Sequence, residues 1–385
     1  MTPAARLSAA IAVLDRWLAG ASAEQALTNW GRASRYAGSG DRAAVRDLVF
    51  DAIRCRDSFA HRGGGLTGRG LILGGLRAGG IDPAPLFTGD GHAPAPPTAA
   101  EADPGPAQGL AALDCPEWLA PALQASLGDD FAGVMAMLRT RAPVFLRVNL
   151  ARIDLPDAQA LLAAEGIATH SHPLAKTALE VTENARRIQN SAAYCQGLVE
   201  LQDVASQAVA LTCPLRDGDR VLDLCAGGGG KILALAALAR IDSHAHDVDR
   251  ARMRDLPARA ARAGVTVALT DRPEAAAPFD LVFVDAPCSG SGSWRRAPEG
   301  KWRLTPDRLQ ALTGIQAGLI DRAAALVAPG GHIAYATCSL LEAENGAQVG
   351  AFLDRAPDWH LQSQRRLTPL DGGDGFFVAI LSRKD

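Results

Sequence analysis

The chain has 385 residues, a length that predicts two or three domains rather than a single core. Hydrophobic residues make up 48% of it and charged residues 21%, which is typical of globular proteins and excludes a disordered or collagen-like chain. The formal net charge is -3, so the chain as a whole has no positive field that would attract nucleic acid. A nucleic-acid partner would therefore have to meet a local basic patch.

The seven cysteines are scattered, and none forms a CxxC pair or stands at zinc-ligand spacing from a histidine. We therefore expect no structural metal and a reducing, cytoplasmic environment. Asp15 and Arg16 interrupt the first apolar stretch, which argues against a signal peptide. The apolar runs are shorter than the ~18 residues that a membrane-spanning helix needs, so we expect no membrane partner.

Residues 1–140 are predicted to form an all-helical domain. Apolar residues recur at spacings of three and four in 7–18 and again in 45–53. The arginines interspersed in the second segment are compatible with a solvated face or with RNA contacts, and their spacing does not decide between the two. Residues 82–108 are rich in Pro, Gly and Ala, which predicts a flexible connection.

Residues 141–195 predict a small α+β unit, because 143–150 alternates as a strand does and a helical segment and short strands follow. From 196 to 385, strands alternate with helices, which predicts a mostly parallel sheet with helices on both faces. Ligands of such sheets bind at the carboxyl ends of the strands. The predicted strands are 220–225, 242–247, 265–269, 280–285, 331–337 and 376–381.

The segment DLCAGGGGK (223–231) joins a predicted buried strand to a helix through four consecutive glycines. Glycine lets the backbone approach a ligand closely, and the start of a helix offers unpaired N–H groups. The spacing is neither that of a P-loop nor GxGxxG, so the pattern alone indicates a nucleotide-like ligand or a tight turn without one. The candidate cofactor-binding residues here are Cys225, Ala226, Gly227, Gly228, Gly229, Gly230 and Lys231.

Acidic residues follow or end the next strands. Asp247 lies about 20 residues beyond the glycines, where an acid can accept hydrogen bonds from both ribose hydroxyls. Asp249 is the alternative, or else a helix cap. Asp271 can meet an adenine amine, or it is a turn residue before Pro273. Asp285 is the last residue of its predicted strand and would lie at the ligand-binding edge.

Two cysteines follow strands at that same predicted edge. In DAPCSGSGSWRRAPEGKW (285–302), Pro287 stiffens the turn that presents Cys288, and in YATCSLLEAEN (335–345) a strand ends next to Cys338. A lone cysteine at a strand end is usually an inert core residue. Two thiols beside one nucleotide pocket instead indicate a catalytic pair.

Cations and tryptophans alternate in the second half of 285–302. This combination suits a substrate made of phosphates and stackable bases, whereas the alternative is a surface loop with solvated charges. The candidate RNA-binding residues are Arg295, Arg296, Lys301 and Trp302.

Taken together, LQDVASQ (201–207), DGFFVAIL (374–381) and the three motifs above resemble successive motifs of the NOL1/NOP2/Sun family of RNA cytosine-5 methyltransferases. The resemblance covers residues 140–385. The helical segment SGDRAAVRDLVFDAIRCR (39–56) resembles the NusB-like RNA-binding domain. Together they imply an α/β fold: a Rossmann-like methyltransferase domain at 196–385, a ferredoxin-like RNA-binding unit at 141–195 and an all-α NusB-like domain before it.

The resemblance implies S-adenosyl-L-methionine as cofactor and RNA as partner, specifically 16S ribosomal RNA, methylated at carbon 5 of a cytosine. It implies that Cys338 is the nucleophile and that Cys288 assists product release. Asp247, Asp271 and Asp285 fall where the family contacts the cofactor. We also expect Asp285 to act catalytically at ring nitrogen 3, and we expect the protein to be a monomer.

One departure concerns the glycine loop, because the family usually has Ala-Pro where this chain has Gly227-Gly228. Loss of the proline predicts a looser loop in the unbound state and a weaker affinity for the cofactor. The departure is also the one feature that favours a non-catalytic RNA-binding ribosome assembly factor with a decayed cofactor site.

Two further enzyme classes are weaker alternatives. A DNA cytosine-5 methyltransferase would use a Pro-Cys thiol like Cys288, but it would need a Glu-Asn-Val partner that this chain lacks, and Cys338 would have no role. A dinucleotide-dependent dehydrogenase would explain the glycines and Asp247 but neither cysteine motif.

Overall fold

The computed structural model describes residues 1–384, and their contacts divide the chain into two compact units. The helical unit consists of Met1–Arg141 and Trp294–Arg303. The mixed unit consists of Ala142–Ser293 and the residues from Leu304 onward. Two features differ from the predicted three-domain division: the small α+β part belongs to the mixed unit, and a ten-residue segment from the cysteine motif belongs to the helical unit.

The helical unit packs its helices around a core of apolar side chains that recur at helical spacing, with Leu14, Val45 and Ile53 all buried. Side-chain caps begin several of the helices; the Thr2 hydroxyl, for example, accepts from the amide of Ala5. The helices are α1 (Pro3–Leu18), α2 (Ala23–Ala33), α3 (Ser39–Arg54), α4 (Arg56–Gly63), α5 (Gly68–Ala78), α6 (Gly109–Ala112), α7 (Ala120–Leu127), α8 (Phe131–Leu138) and, from the distant segment, α15 (Glu299–Arg303).

Residues 82–108, expected to be a flexible connection, are instead held against the helices. Phe87 is buried in the helical core. Glu101 accepts from Arg69 at 2.6 Å, and Asp103 accepts from Arg62 at 2.6 Å. The proline and glycine content prevents long helices here, but it does not prevent one aromatic anchor and two ion pairs from fixing the segment.

The small part of the mixed unit is a four-stranded antiparallel sheet with strand order β2-β3-β1-β4. Its buried strand residues pack against two helices around their own apolar cluster. The elements are β1 (Val144–Val148), α9 (Leu155–Ala164), β2 (Thr169–Ser171), β3 (Ala178–Val181), α10 (Ala192–Cys195) and β4 (Val199–Leu201).

The large part of the mixed unit is a seven-stranded sheet with order β10-β11-β9-β8-β5-β6-β7, which confirms the predicted Rossmann-like α/β class. Strands β9 to β7 in this order are parallel, and β11 and β10 continue the sheet antiparallel. The elements are α11 (Val204–Leu211), β5 (Arg220–Asp223), α12 (Gly230–Ala236), β6 (Asp242–Ala245), α13 (Leu256–Ala263), β7 (Val267–Leu269), α14 (Pro273–Ala276), β8 (Phe279–Asp285), α16 (Pro306–Leu326), β9 (Val327–Thr337), α17 (Gly346–Arg355), β10 (Trp359–Leu367) and β11 (Phe376–Arg383).

The strand order reverses between β5 and β8, because the chain proceeds from β5 to β6 on one side and from β8 to β9 on the other. Such a reversal opens a crevice at the carboxyl ends of the two central strands. Asp223 pairs with Phe283, and Asp285 pairs with Ala336. The glycine loop and both cysteine motifs therefore begin at the same edge of the sheet.

The segment Trp294–Arg303 closes the C-terminal end of α3 in the helical unit. The Lys301 ammonium donates to the carbonyl of Arg54 at 2.9 Å, and the Trp302 indole donates to that of Ile53 at 2.7 Å. The Arg54 guanidinium in turn donates to the carbonyl of Arg295 at 2.8 Å. The last carbonyls of a helix lack hydrogen-bond partners within the helix. Here an ammonium and an indole donate hydrogen bonds to two of these carbonyls.

These contacts bear on the expectation that Arg295, Lys301 and Trp302 contact RNA. Arg295 is 0% exposed and Lys301 is 1% exposed, so neither charge is available to a phosphate. Trp302 is half-buried, and the Arg56 guanidinium lies 3.6 Å above its ring. Of the four candidates only Arg296 has an exposed side chain.

No helix among residues 1–384 is both long enough and apolar enough to cross a membrane.

Burial lowers the pKa of Lys301 to about 8, although Asp114 opposes the shift. The folded chain therefore releases this proton near pH 8, whereas the unfolded chain holds it until about pH 10.5. We expect the free energy of unfolding to rise with pH across this window, by on the order of 3 kcal/mol, relative to a Lys301→Met variant that has no proton to lose.

The measurement is denaturant unfolding of both proteins at pH 7, 8, 9 and 10. Other groups titrate equally in the two proteins, so the difference between the two curves isolates Lys301. Parallel curves would show that the ammonium of Lys301 is solvated in the folded state.

Candidate active site

The four glycines that follow β5 form a tight turn that ends in α12. Gly227 and Gly229 have φ of +49° and +80°, in the left-handed region that side chains disfavour. A Cβ on Gly229 would lie 2.1 Å from Leu256 Cδ1, so the turn is pressed against the side of α13. Glycine at these positions is thus required by conformation and by space.

Asp247 contacts this turn directly. Its carboxylate accepts from the amide of Gly227 at 2.9 Å and from the amide of Asp249 at 3.0 Å. Its side chain is only 1% exposed, and Arg252 pairs with it at 3.2 Å. Asp249, the alternative, instead caps the following turn by accepting from the amide of Ala251.

Asp271 lies apart from this arrangement. It follows β7, its side chain is exposed, and it pairs with Arg250 at 2.8 Å. The structure thus gives Asp271 a partner on the surface. Cys225 is half-buried after β5, and burial raises the pKa of its thiol, so it is not an activated nucleophile.

Asp223 is a residue that the sequence interpretation did not single out. It ends β5 and is buried, and neither carboxylate oxygen has a hydrogen-bond partner. The amides of Cys225 and Ile232 face it without reaching hydrogen-bond geometry. Burial and the nearby Asp285 raise its pKa to about 7. A buried acceptor without a partner at the start of the glycine turn suits a site that a polar ligand completes.

Lys231 and Asp285 form an ion pair at the centre of the crevice. The ammonium of Lys231, on α12, lies 2.7 Å from a carboxylate oxygen of Asp285, at the end of β8. Burial alone would lower the pKa of Lys231, but Asp285, Asp223 and Cys338 together raise it. The cation is therefore retained, and it lies close enough to Cys338 to interact with a charge there.

The two predicted cysteines meet in space. The Sγ atoms of Cys288 and Cys338 are 3.4 Å apart, although 50 residues separate them in the chain. Both thiols are free and half-buried. The hydrogen bond with Cys338, together with burial, raises the pKa of Cys288 well above its ordinary value. With its pKa raised, Cys288 keeps its proton beside Cys338.

Glu344 fixes the two cysteine loops to each other, and the sequence interpretation quoted its motif without assigning it a role. Its carboxylate is 0% exposed. It accepts from the amide and hydroxyl of Ser289, next to Cys288, and from the hydroxyl of Ser339, next to Cys338. Gln316 on α16 donates to it at 3.0 Å. One buried charge thus joins the loops that carry both thiols.

The structure therefore brings together Lys231, Asp285, Cys288 and Cys338, with the Gly227–Asp247 contact at the adjacent strand end. Asp271 stands outside this group. Across residues 1–384, no group of three or more His, Cys, Asp or Glu side chains is arranged to hold a metal ion.

Two family models match the chain. The model described as 16S rRNA methyltransferase RsmB/F matches residues 210–382, and the RsmF/B-like ferredoxin-like domain matches residues 115–188. Together they cover more than half of the sequence. The first includes the glycine turn and both cysteines.

A curated relative from Xanthomonas campestris, named ribosomal RNA small subunit methyltransferase B, is 34% identical over 292 residues. The alignment covers 69% of this chain and 66% of the relative, which is just under two thirds of its length.

Two solved structures share the fold. A methyltransferase homologue from Pyrococcus horikoshii has a TM-score of 0.63 at 27% identity, over 71% of this chain and 97% of its own. NSun6 from the same organism, solved with SFG, has a TM-score of 0.62 at 18% identity, over 70% and 98%. These matches, together with the site geometry, place this chain in the NOL1/NOP2/Sun family of S-adenosylmethionine-dependent RNA methyltransferases, within its RsmB/F branch.

Proposed function

We propose that this protein methylates carbon 5 of a cytosine in RNA, with 16S ribosomal RNA as the substrate, through a covalent bond between Cys338 and the base. The observation that carries the proposal is the 3.4 Å separation of the Cys288 and Cys338 sulfurs beside the Lys231–Asp285 ion pair. Two adjacent thiols and a cation fit a reaction that needs one thiol as the nucleophile and a second thiol at the same ring for the release of the product.

The residues that would hold S-adenosylmethionine are the glycine turn, Asp247 and Asp285, with Asp223 below the turn. The fit is supported by carboxylate oxygens of Asp223 that have no partner and by a turn of four glycines that carries no side chains of its own. When bound there, the cofactor supplies an electrophilic methyl group. Asp271 is the least supported of the proposed cofactor contacts, because it pairs with Arg250 on the surface.

Carbon 5 of cytosine is a poor nucleophile on its own, and Cys338 provides the thiolate that activates it. Its thiolate adds to carbon 6, and the pair of electrons from the 5,6 double bond makes carbon 5 nucleophilic. Lys231 lies close enough to Cys338 for their charges to interact, so it can stabilise the thiolate before attack.

The Lys231–Asp285 pair can stabilise the negative charge that develops on the ring. The two groups share a hydrogen bond of 2.7 Å, so the pair can supply a proton at ring nitrogen 3 or hold one there. After methylation, the proton on carbon 5 must leave before the double bond can re-form and expel the Cys338 thiolate. Cys288 lies beside Cys338 and is the residue positioned to assist this step.

An RNA substrate is supported by the relatives named as ribosomal RNA methyltransferases and by the need to bring a base against both thiols. A base within a stacked helix cannot reach them, which favours a single-stranded or loop segment. Arg296 is the remaining candidate contact from the original four. In a DNA cytosine-5 methyltransferase, Cys288 would be the nucleophile, and the position of Cys338 beside it would be unexplained. The monomeric state and the cytoplasmic location stay predictions.

The two-thiol proposal is tested by replacing each cysteine. Cys338→Ala should reduce methyl transfer by at least about 1000-fold, because the covalent step is lost, while binding of S-adenosylhomocysteine survives. Cys288→Ala should accumulate a protein–RNA adduct, seen as a slow band on a denaturing gel. The exposed Cys195→Ala is the matched control and should behave as the wild type does.

An adduct that forms with Cys338→Ala instead would reverse the two roles. Transfer of label to a DNA oligomer in preference to the matching RNA would overturn the substrate assignment.

Glu344→Ala should remove the anchor shared by both cysteine loops. The loss deprives four donors of this acceptor and should lower the free energy of unfolding by about 3 kcal/mol. It should also slow capture by a trivalent arsenical that bridges neighbouring thiols, measured by mass spectrometry on the folded protein. Glu342→Ala, which removes an exposed acid two residues earlier, should change neither quantity. Unchanged arsenical capture in Glu344→Ala would mean that the loops hold the thiols together without it.

A further inference from the structure

The glycine turn has no side chains of its own to hold its shape. Glycine loses more conformational freedom on ordering than any other residue, so four in succession need outside support. The carbonyl of Gly230 receives it from the small sheet: Arg147 on β1 donates to it at 2.9 Å, and Gln202 donates to it at 3.1 Å. Hydrogen bonds from side chains outside the turn thus already hold one end of it in place.

The carbonyl of Gly228 receives a second support from α13, where the Arg259 guanidinium donates to it. A Cβ built on Gly228 would lie 2.8 Å from that same guanidinium nitrogen. The backbone of Gly228 is not in the left-handed region, so its conformation would admit other residues. Space is the constraint: Arg259 occupies the volume that a side chain at 228 would take.

Arg259 is itself held in place. Its Nε lies 3.4 Å from a carboxylate oxygen of Glu200, which is buried on β4. Glu200 also accepts from Arg262, one turn further along α13, at 2.6 Å. The Arg259 side chain is 24% exposed, so most of its length is fixed between Glu200 and the turn.

We infer that Arg259 is a positioning residue for the cofactor turn. Because Gly228 has no side chain to hold the turn in shape, the guanidinium of Arg259 restrains its backbone. The inference rests on the proposed function, in which this turn holds S-adenosylmethionine. It reverses the expectation drawn from sequence alone, because Gly227-Gly228 need not be a loose turn when an arginine is seated on it.

Arg259→Ala should raise the Kd for S-adenosylhomocysteine about tenfold in calorimetry, the lower end of what one charge-assisted hydrogen bond contributes. Arg262→Ala is the matched control, because it removes the other arginine on Glu200 without touching the turn. It should leave the Kd within about twofold of the wild-type value. Thermal unfolding of both variants in the absence of ligand separates a local effect from general destabilisation.

Hydrogen exchange of the ligand-free protein provides a readout that does not depend on the cofactor. Amides of residues 225–231 should exchange faster in Arg259→Ala than in the wild type or in Arg262→Ala, while those of β5 and β8 should not change. This arm tests the restraint even if the wild type binds no ligand, a result that would refute the proposed function but not the restraint.

A double-mutant cycle tests the shared volume. Gly228→Ala should weaken binding in the wild-type background by displacing the guanidinium, and it should have little or no effect once Arg259 is alanine. Additive effects of the two changes, or an Arg259→Ala variant with wild-type affinity and wild-type exchange in the turn, would overturn the inference.

Discussion

The carboxyl group of Glu344 is fully buried between the two loops that carry the reactive thiols. A buried carboxylate is costly unless donors surround it, and here both serine hydroxyls, a backbone amide and a glutamine amide do so. The donors come from the loop after β8, the loop after β9 and α16. The same interactions that compensate for the burial therefore join the loop of Cys288 to the loop of Cys338.

Parallel pairing of β8 with β9 makes this arrangement possible. Asp285 lies opposite Ala336 in the register, so each strand releases its loop at the same height. This much could be predicted from the sequence, because strands that alternate with helices have their carboxyl ends at one edge, and each motif follows such a strand. The meeting of the thiols, the position of Asp247 and the Rossmann-like class all depend on that local rule.

Other features depend on partners that are distant in sequence. The sequence predicts Lys301 as an RNA contact, yet its partner is the carbonyl of Arg54, 247 residues earlier. Asp271 has the spacing of a ligand contact, but its side chain is exposed and pairs with Arg250. Strand β10 is exposed between its terminal residues Trp359 and Leu367, so it has no apolar alternation to detect. Phe87 fixes a segment whose composition alone indicates flexibility.

The glycine turn shows the same limit in another form. Its sequence departs from the usual family pattern, and composition alone favours a loosened site. The compensating contact comes from Arg259, and nothing in the local pattern marks that residue as different from the arginines beside it. A side chain on a neighbouring helix can thus compensate for a departure in one motif, and only the fold identifies that side chain.

The segment Trp294–Arg303 has a consequence for how the protein is made. The first 141 residues leave the ribosome long before the segment that completes their fold, because about 150 further residues must be translated first. At about 5–20 residues per second this takes on the order of ten seconds. During that time the carbonyls of Ile53 and Arg54 lack their later donors, so the end of α3 stays open to water or to a chaperone. The helical unit reaches its final form only when most of the enzyme has been synthesised.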